Sequence, residues 1–232
     1  MCGRFVGTFD GARLIAELGG ILPLHDVEAV AFRSFNVAPT TMVPVLVASH
    51  GAVVLEPMQW GLVPAWAKDA SRSASMINAR LETAAEKPSF RGLVSGNRCL
   101  VPMDGFYEWD RAGPGPSVPY FVSRSDGRLL LVAGLWTRSA AIGGGPSVAM
   151  LTEESGGVLS RIHHRAPVVP DDAAASRWLM EGTSSLSDLS HAARATLRMH
   201  RVGSRVNSVR NNDPSLLEED DGTGSPTQPT LF

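Results

Sequence analysis

The most reactive position in this sequence is Cys2, which directly follows the initiator Met1. Aminopeptidases remove an initiator methionine when the second residue is small, and Cys2 then carries both a free α-amine and a thiol. Their ordinary pKa values, about 8 and about 8.5, leave reactive fractions of both at neutral pH. An aldehyde forms an imine with such a pair, and the thiol then closes a durable thiazolidine ring intramolecularly. Judged alone, Cys2 is better explained as an inert core cysteine.

Four further stretches contain residues suited to catalysis or binding. They read Trp60-Gly61-Leu62-Val63-Pro64 with Trp66, Asn78-Ala79-Arg80 with Glu82, Gly105-Phe106-Tyr107-Glu108-Trp109, and Ile162-His163-His164-Arg165-Ala166-Pro167. Taken singly, Asn78 fits a helix N-cap and Glu108 an exposed strand carboxylate. In this order, and with Met1-Cys2-Gly3-Arg4-Phe5, the stretches closely resemble the SRAP family of abasic-site processing proteins, which crosslink to abasic DNA. The resemblance runs to about Leu217 and includes Val206-Asn207 and Asn211-Asn212.

The resemblance implies a role for each of four residues. Cys2 is the nucleophile that forms a thiazolidine crosslink with an abasic site in single-stranded DNA, and Asn78 positions it. Glu108 is the acid and base, and His163 assists proton transfer. His163 is chosen over His164 because the family pattern is Ile-His-x-Arg, with Arg165 expected on the same side of an extended strand. The implied activity is lyase-like; it shields the lesion and allows slow reversal.

The same resemblance implies how the DNA is held. Arg4, Arg80 and Arg165 are expected to bind phosphates, with Arg91 a weaker candidate, because arginine forms bidentate bonds that fix a strand without reading its sequence. Trp66 and Trp109 offer flat faces on which unpaired bases can stack, and the alternative for both is core packing. Trp60 is expected in the core.

The last five residues, Gln228-Pro229-Thr230-Leu231-Phe232, resemble the peptide by which bacterial repair proteins and polymerases bind the replication sliding clamp. Leu231 and Phe232 would supply apolar anchors, and Gln228 a hydrogen-bonding one. The alternative is a chance ending on a disordered tail.

Two other functions remain open at this stage. In a cysteine peptidase, His163 would activate Cys2 and Asn78 would orient the histidine, and this activity can be limited to self-removal of Met1. In a noncovalent single-strand binder, arginine and tryptophan would do the work and Cys2 would be incidental.

Charge alone does not decide between these functions. The net charge is −2, but four acids lie in a run at positions 218–221, and without them the 21 basic residues outnumber the 19 remaining acidic ones by two. All basic residues except Lys68 and Lys87 are arginines, which fits either phosphate recognition or codon bias. The sequence predicts a domain over residues 1–217 and a disordered tail over 218–232.

Composition also bounds the cellular setting. There is no run of 18 apolar residues and no signal-peptide pattern, which predicts a cytoplasmic protein without membrane contact. The resemblance implies association with the nucleoid, and we expect a monomer. Cys2 and Cys99 are expected to stay reduced, and neither has zinc-ligand spacing, so no metal or cofactor is expected.

The elements that must position these residues are short. Asp10 caps a predicted helix that ends at Gly19 and Gly20. The sequence further predicts a hairpin of 43–48 with 52–58, strands at 98–101, 120–122, 129–133 and 147–151, and helices near 81–86, 171–180 and 186–193. No βαβ repeat is visible, which favours a single α+β domain with a mostly antiparallel, barrel-like β core and short flanking helices.

Overall fold

The structure is a computed structural model, and it describes residues 2–181, 186, 189 and 194–222. Within these residues the strands are β1 Arg4–Asp10, β2 Ala31–Val37, β3 Met42–Ser49, β4 Ala52–Trp60, β5 Asn78–Arg80, β6 Arg98–Met103, β7 Gly105–Asp110, β8 Val118–Arg124, β9 Leu130–Arg138, β10 Pro146–Glu154, β11 Arg165–Pro167 and β12 Leu197–Arg201. The α-helices are α1 Gly11–Leu18, α2 Leu81–Ala84 and α3 Asp172–Met180. Short 3-10 helices cover Ser73–Ser75, Ala140–Ile142, Gly157–Arg161, Ser204–Asn207 and Pro214–Leu217.

Two sheets confirm the mixed α+β prediction. One has the strand order β12-β8-β7-β1-β2 and is antiparallel throughout. The other has the order β11-β10-β4-β3-β6-β9, and β10 also pairs with β5 and β9. Because β10 contacts strands at both ends of that path, the sheet curls into a ring. The register between β3 and β6 reduces to Leu46 opposite Leu100, so the ring is barrel-like without being a closed barrel.

The predicted hairpin is confirmed, and its turn chemistry explains it. β3 and β4 pair up to Ser49 opposite Ala52, which leaves only His50 and Gly51 in the turn. Both have positive φ, 50° and 82°, as a two-residue turn matched to strand twist requires. Gly61 then bends the chain away from β4 at φ 127°, where a Cβ would lie 2.5 Å from the carbonyl oxygen of Ser73.

The predicted helices that begin after Asp10 and after Asp171 are also confirmed. The Asp10 carboxylate accepts a hydrogen bond from the Arg13 amide at 2.8 Å and caps α1. Asp171 caps α3 in the same way, through the Ala174 amide at 2.8 Å. Each cap satisfies an amide that would otherwise lack a partner at the start of the helix.

Two local predictions are wrong in detail, and a third falls mostly on residues that the structure does not describe. The helix expected over residues 81–86 is a single turn, Leu81–Ala84. His163 is not on an extended strand: it lies in the turn after the 3-10 helix Gly157–Arg161, and β11 begins only at Arg165. Most of the helix expected near 186–193 falls outside the described residues. Leu186 and Leu189 are described, and both are buried. The domain boundary at 217 stays a prediction.

Three apolar clusters hold the sheets together. The largest packs α1 and α3 against one side of the ring, with Leu14 and Trp178 buried in it. The second fills the space between the sheets and contains Cys2, Phe5 and Trp60. Phe5 and Trp60 meet edge to face with ring centroids 5.2 Å apart. The first residues of the chain are therefore built into the core. No helix among the described residues is long and apolar enough to cross a membrane.

Candidate active site

A cavity of about 480 Å³ opens where β1, β5 and β7 approach the turn before β11. Four arginines line it: Arg4, Arg80, Arg111 and Arg165. Glu108 is the one carboxylate among the lining residues, so the described wall is strongly basic. A basic concavity of this size attracts an anionic chain and suits a nucleotide-sized group.

Cys2 lies two residues before β1; the next residue, Gly3, lines this cavity, whereas Cys2 and Asn78 are not among its lining residues. The Cys2 side chain is fully buried, and Sγ lies 3.9 Å from the Arg4 carbonyl oxygen. Burial raises the pKa of the Cys2 thiol well above its usual range, and the charge of Glu108 raises it further. The thiol is therefore protonated at neutral pH and needs a base before it can act as a nucleophile.

Asn78 is the residue that touches Cys2 directly. β5 runs parallel to β10 with Asn78 opposite Met150, and this register brings the carboxamide to the start of the chain. Nδ2 of Asn78 donates a hydrogen bond to the Cys2 carbonyl oxygen at 2.9 Å. Oδ1 is buried and accepts no hydrogen bond from any described residue. The amide thus fixes the Cys2 main chain and keeps an acceptor available beside it.

Glu108 approaches the same end of the chain from β7. Pairing of β1 with β7 sets Arg4 opposite Tyr107, which brings the next residue, Glu108, to the cavity. The Glu108 side chain is 4% exposed, and Oε1 accepts a hydrogen bond from the Trp109 amide at 3.2 Å. The carboxylate is far more buried than an ordinary strand carboxylate, contrary to what Glu108 alone would suggest.

His163 lines the opposite wall of the cavity. Nδ1 of His163 lies 2.9 Å from the Arg165 amide nitrogen and 3.0 Å from the Arg165 carbonyl oxygen, so the backbone of Arg165 holds the ring in place. The ring stacks on His164, with centroids 4.5 Å apart and an interplanar angle of 20°. Burial lowers the pKa of His163, and the charge of Glu108 offsets part of that shift. The imidazole is therefore neutral at pH 7 and can accept a proton.

The predicted phosphate-binding arginines differ in their surroundings. Arg4 and Arg80 line the cavity, and Arg80 is exposed. Arg165 also lines it, but its guanidinium forms a bidentate pair with Glu82, at 2.7 and 2.9 Å, and donates to the Thr152 carbonyl at 2.5 Å. Arg91 is exposed and is not part of the cavity wall. The DNA contacts of all four stay predictions.

The tryptophans occupy three different environments. Trp109 lines the cavity, and Trp66 is 69% exposed beside a separate groove of about 310 Å³. Trp60 is fully buried, as expected, and donates through Nε1 to the Ile77 carbonyl at 3.1 Å. Trp109 is therefore the tryptophan that shares a wall with the predicted catalytic residues.

Some residues of the cavity wall carried no signal in the sequence. Arg111 and Ser117 border a loop rich in glycine and proline between β7 and β8, where no periodic pattern exists to read. Glu82 belongs to a quoted motif, but its pairing with Arg165 joins residues 83 positions apart. Gln228, Leu231 and Phe232 lie outside the described residues, so the structure does not bear on the clamp peptide.

Comparison with known proteins gives concordant findings. The model of the SOS response associated peptidase (SRAP) family matches residues 1–209. The abasic site processing protein YoqW of Bacillus subtilis is 33% identical over 226 residues, which is 94% of this chain and 99% of that protein. The abasic site processing protein HMCES of Pongo abelii is 34% identical over 227 residues, covering 79% of this chain and 64% of that protein.

Solved structures share the fold. A Bacteroides thetaiotaomicron protein superposes with a TM-score of 0.79 at 22% identity, over 94% of this chain and all of that one. A Bordetella bronchiseptica protein superposes with a TM-score of 0.69 at 24% identity, over 87% of this chain and all of that one. The fold is thus shared with proteins of low sequence identity.

Proposed function

Since this chain belongs to the SOS response associated peptidase (SRAP) family, we propose that it processes abasic sites in DNA. We further propose that it does so by a covalent thiazolidine crosslink through Cys2. The observation that carries the proposal is the 2.9 Å hydrogen bond from Asn78 to the Cys2 carbonyl, next to Gly3 in the wall of a cavity that Glu108, His163 and four arginines also line. The proposed nucleophile, the proposed acid and base, and the basic cavity wall all lie near the start of the chain.

The proposed reaction begins after removal of Met1. The α-amine of Cys2 adds to the aldehyde carbon of the ring-opened abasic sugar, and the carbinolamine loses water to give an imine. Sulfur then adds to the imine carbon, and the thiol proton ends on nitrogen. Aldehyde and aminothiol thus give a thiazolidine and water, with no oxidant or metal required. Because amine and thiol share one residue, ring closure is intramolecular and the adduct is durable.

The surroundings of Cys2 suggest the role of each neighbour. Glu108, buried at the cavity wall, donates a proton to the sugar ring oxygen during opening and takes protons up later. His163, kept neutral by its lowered pKa, accepts the thiol proton that burial would otherwise retain on sulfur. The free Oδ1 of Asn78 accepts a hydrogen bond from the amine and orients it.

The cavity wall supports single-stranded DNA as the form of the substrate. Arg4, Arg80 and Arg165 are proposed to bind phosphates, and Trp109 to stack on an unpaired base. Arg91 and Trp66 lie away from the cavity and are proposed as outlying contacts along the strand. No base-reading arrangement is required, because the lesion itself lacks a base.

Three finer activities belong to the same proposal. Lyase-like reversal of the crosslink would use Glu108 and His163 in the opposite direction. Hydrolytic self-removal of Met1 would use Cys2 as the nucleophile, and the family name records a peptidase. Through Gln228, Leu231 and Phe232 the protein would bind the sliding clamp as a monomer at the nucleoid. Deletion of residues 228–232 should abolish clamp binding; unchanged clamp affinity would exclude that part.

Intact mass spectrometry tests the central proposal. The purified protein is incubated with single-stranded DNA bearing one abasic site, and with matched DNA bearing a tetrahydrofuran analogue that has no aldehyde. We expect loss of Met1 and a covalent adduct with the first DNA alone. Absence of the adduct would overturn the proposal.

Two variants separate the crosslink from its alternatives. Cys2→Ser keeps the amine but not the sulfur, so it should give an adduct only when borohydride traps the imine. An N-terminal extension that cannot be cleaved removes the free amine and should abolish the thiazolidine, whereas a peptidase thiolate would survive it. A noncovalent binder would release the DNA under denaturing conditions, so it would give no adduct in either experiment.

A further inference from the structure

Asn36, near the end of β2, uses its whole carboxamide inside the protein. The side chain is 5% exposed. Its Nδ2 lies within hydrogen-bond distance of three main-chain oxygens, those of Val206 at 3.2 Å, Ser208 at 3.0 Å and Asn211 at 3.0 Å. An amide nitrogen has two hydrogens, so one of them is shared. Asn36 therefore ties the segment 206–211 to the first sheet.

The other end of the same carboxamide holds Arg4. Oδ1 of Asn36 accepts a hydrogen bond from Nη1 of Arg4 at 2.8 Å, and Nη1 also donates to the Val206 carbonyl at 3.0 Å. Both hydrogens of Nη1 are thereby used, while Nε and Nη2 donate to nothing within the described residues. The half-buried guanidinium is fixed at one corner and keeps its other donors for the cavity that it lines.

The partners of Arg4 are neutral, and this has an electrostatic consequence. Arg165 is paired with the carboxylate of Glu82, which cancels much of its charge. Arg4 is bound by an amide oxygen and a peptide oxygen, so its full positive charge remains available to a phosphate. Asparagine at position 36 fixes the guanidinium without neutralising it, which aspartate could not do.

The segment tied down by Asn36 also orients Trp109. Nε1 of Trp109 donates a hydrogen bond to Oδ1 of Asn207 at 2.8 Å. The neighbouring Val206 is fully buried in an apolar cluster with Tyr107 and Phe35, which anchors the segment. Asn207 itself is exposed, so its bond to the indole serves the position of the ring rather than the core.

We propose that Asn36 and Asn207 are positioning residues for DNA binding, and that the segment 206–211 holds Arg4 and Trp109 as one preformed wall of the cavity. The proposal rests on the function proposed above. Asn36 acts through Arg4 on a phosphate, and Asn207 acts through Trp109 on an adjacent base. Neither touches the lesion, so both should affect affinity for the strand rather than the rate of crosslinking once DNA is bound.

The test measures dissociation constants for single-stranded DNA with a tetrahydrofuran site, as a function of salt, for Asn36→Ala, Asn36→Asp, Arg4→Ala and the Arg4→Ala/Asn36→Ala double variant. Loss of one phosphate contact should weaken binding about tenfold and lower the slope of log affinity against log salt by about 0.7. If Asn36 acts through Arg4, the double variant should match Arg4→Ala alone. Asn36→Asp should also weaken binding, because the carboxylate pairs with Arg4.

The matched control is Ser34→Ala, two residues away on β2, whose hydroxyl bonds to Asn212 and accepts a hydrogen bond from the Asn36 main-chain amide at 3.4 Å but contacts neither the Asn36 carboxamide nor Arg4. It should keep both the affinity and the salt slope. Asn207→Ala, an exposed change, guards against misfolding of the Asn36 variants and should weaken binding without changing the slope. Thermal unfolding of each variant identifies any that do not fold.

Two results would overturn the inference. The first is that Asn36→Ala folds and keeps the salt slope of the wild type, and Asn207→Ala binds DNA as the wild type does. The second is that the losses of binding free energy for Arg4→Ala and Asn36→Ala add fully in the double variant. Failure of the proposed function looks different. In that case the wild-type protein forms no adduct with abasic DNA, whatever the behaviour of these variants.

Discussion

The pairing of Glu82 with Arg165 leads us to predict a variant that binds DNA more tightly, whereas most changes near a binding site weaken binding. The change is Glu82→Gln, which keeps an acceptor for Nη1 of Arg165 but removes the carboxylate charge. Side-chain exposures are 48% for Glu82 and 10% for Arg165, so the carboxylate can swing into solvent while the guanidinium stays in place. We expect the variant to bind single-stranded DNA more tightly, because phosphate no longer competes with a carboxylate.

The magnitude follows from the number of free cations in the cavity. In the wild-type protein a phosphate must compete with Glu82 for Arg165, so three of the four cavity arginines bind phosphate without such competition; with Glu82 neutralised all four do. Each phosphate contact on a single strand contributes about −0.7 to the salt slope, which gives slopes of about −2.1 and about −2.8. Between 50 and 200 mM salt these slopes correspond to losses of affinity of about 18-fold and about 50-fold. At low salt, breaking an ion pair whose carboxylate is half-exposed costs about 0.2–1 kcal/mol, so the gain in affinity is at most about fivefold.

The assay is fluorescence anisotropy on a tetrahydrofuran-containing strand over that salt range. Glu86→Gln is the matched control, since it removes the same charge from an exposed residue four positions further along. It should change neither the slope nor, beyond a small long-range effect, the affinity. The reasoning is refuted if Glu82→Gln binds more weakly with a shallower slope, because Glu82 would then be required to hold Arg165 for DNA.

Three further outcomes can be measured. Arg124 holds the pKa of Asp126 at about 2, so its stabilising contribution is present above about pH 4 and lost as the pH falls toward 2; urea unfolding should show a smaller acid loss for Asp126→Asn. Tyr107→Phe removes a buried 2.9 Å bond from the hydroxyl to the Phe35 carbonyl and should cost about 1 kcal/mol of unfolding free energy, with unchanged adduct formation. Glu108→Gln should lower the pKa of the Cys2 thiol, seen as faster alkylation at pH 9 by mass spectrometry, yet still slower than for a free cysteine because burial dominates. Equal rates in wild type and variant would contradict this.

Local signals in the sequence accounted for much of the fold. Asp10 is identifiable from the sequence as a helix cap, and the hairpin of 43–48 with 52–58 is identifiable from its alternating strands and short turn, because these features depend on neighbouring residues only. The strands that escaped prediction are β1, β2, β5, β7, β11 and β12. Several of these are short, and β5 and β11, at three residues each, exist only because β10 provides their hydrogen bonds.

The candidate site divides along the same line. Cys2, Asn78, Glu108 and His163 were accessible through motif resemblance, and three of these side chains meet at the cavity or at the Cys2 main chain. The residues that position the DNA-binding side chains could not be predicted from the sequence. Asn36 bonds to a segment 170 positions away, and such long-range contacts leave no periodicity to read. The extended strand expected at His163 was wrong for a related reason, since a 3-10 helix ends just before it.

The burial of Cys2 has a consequence for the lifetime of the protein in the cell. Under the proposed chemistry a molecule that has reacted stays on its lesion until the slow reversal, so what matters is how long an unused molecule stays competent. A thiolate exposed to peroxide would be oxidised to sulfenic and then sulfinic acid. A protonated sulfur with no solvent-exposed surface resists that reaction. The burial that slows the reaction of the Cys2 thiol therefore also protects it from oxidation. The fold thus favours a long-lived reactive protein over a fast one.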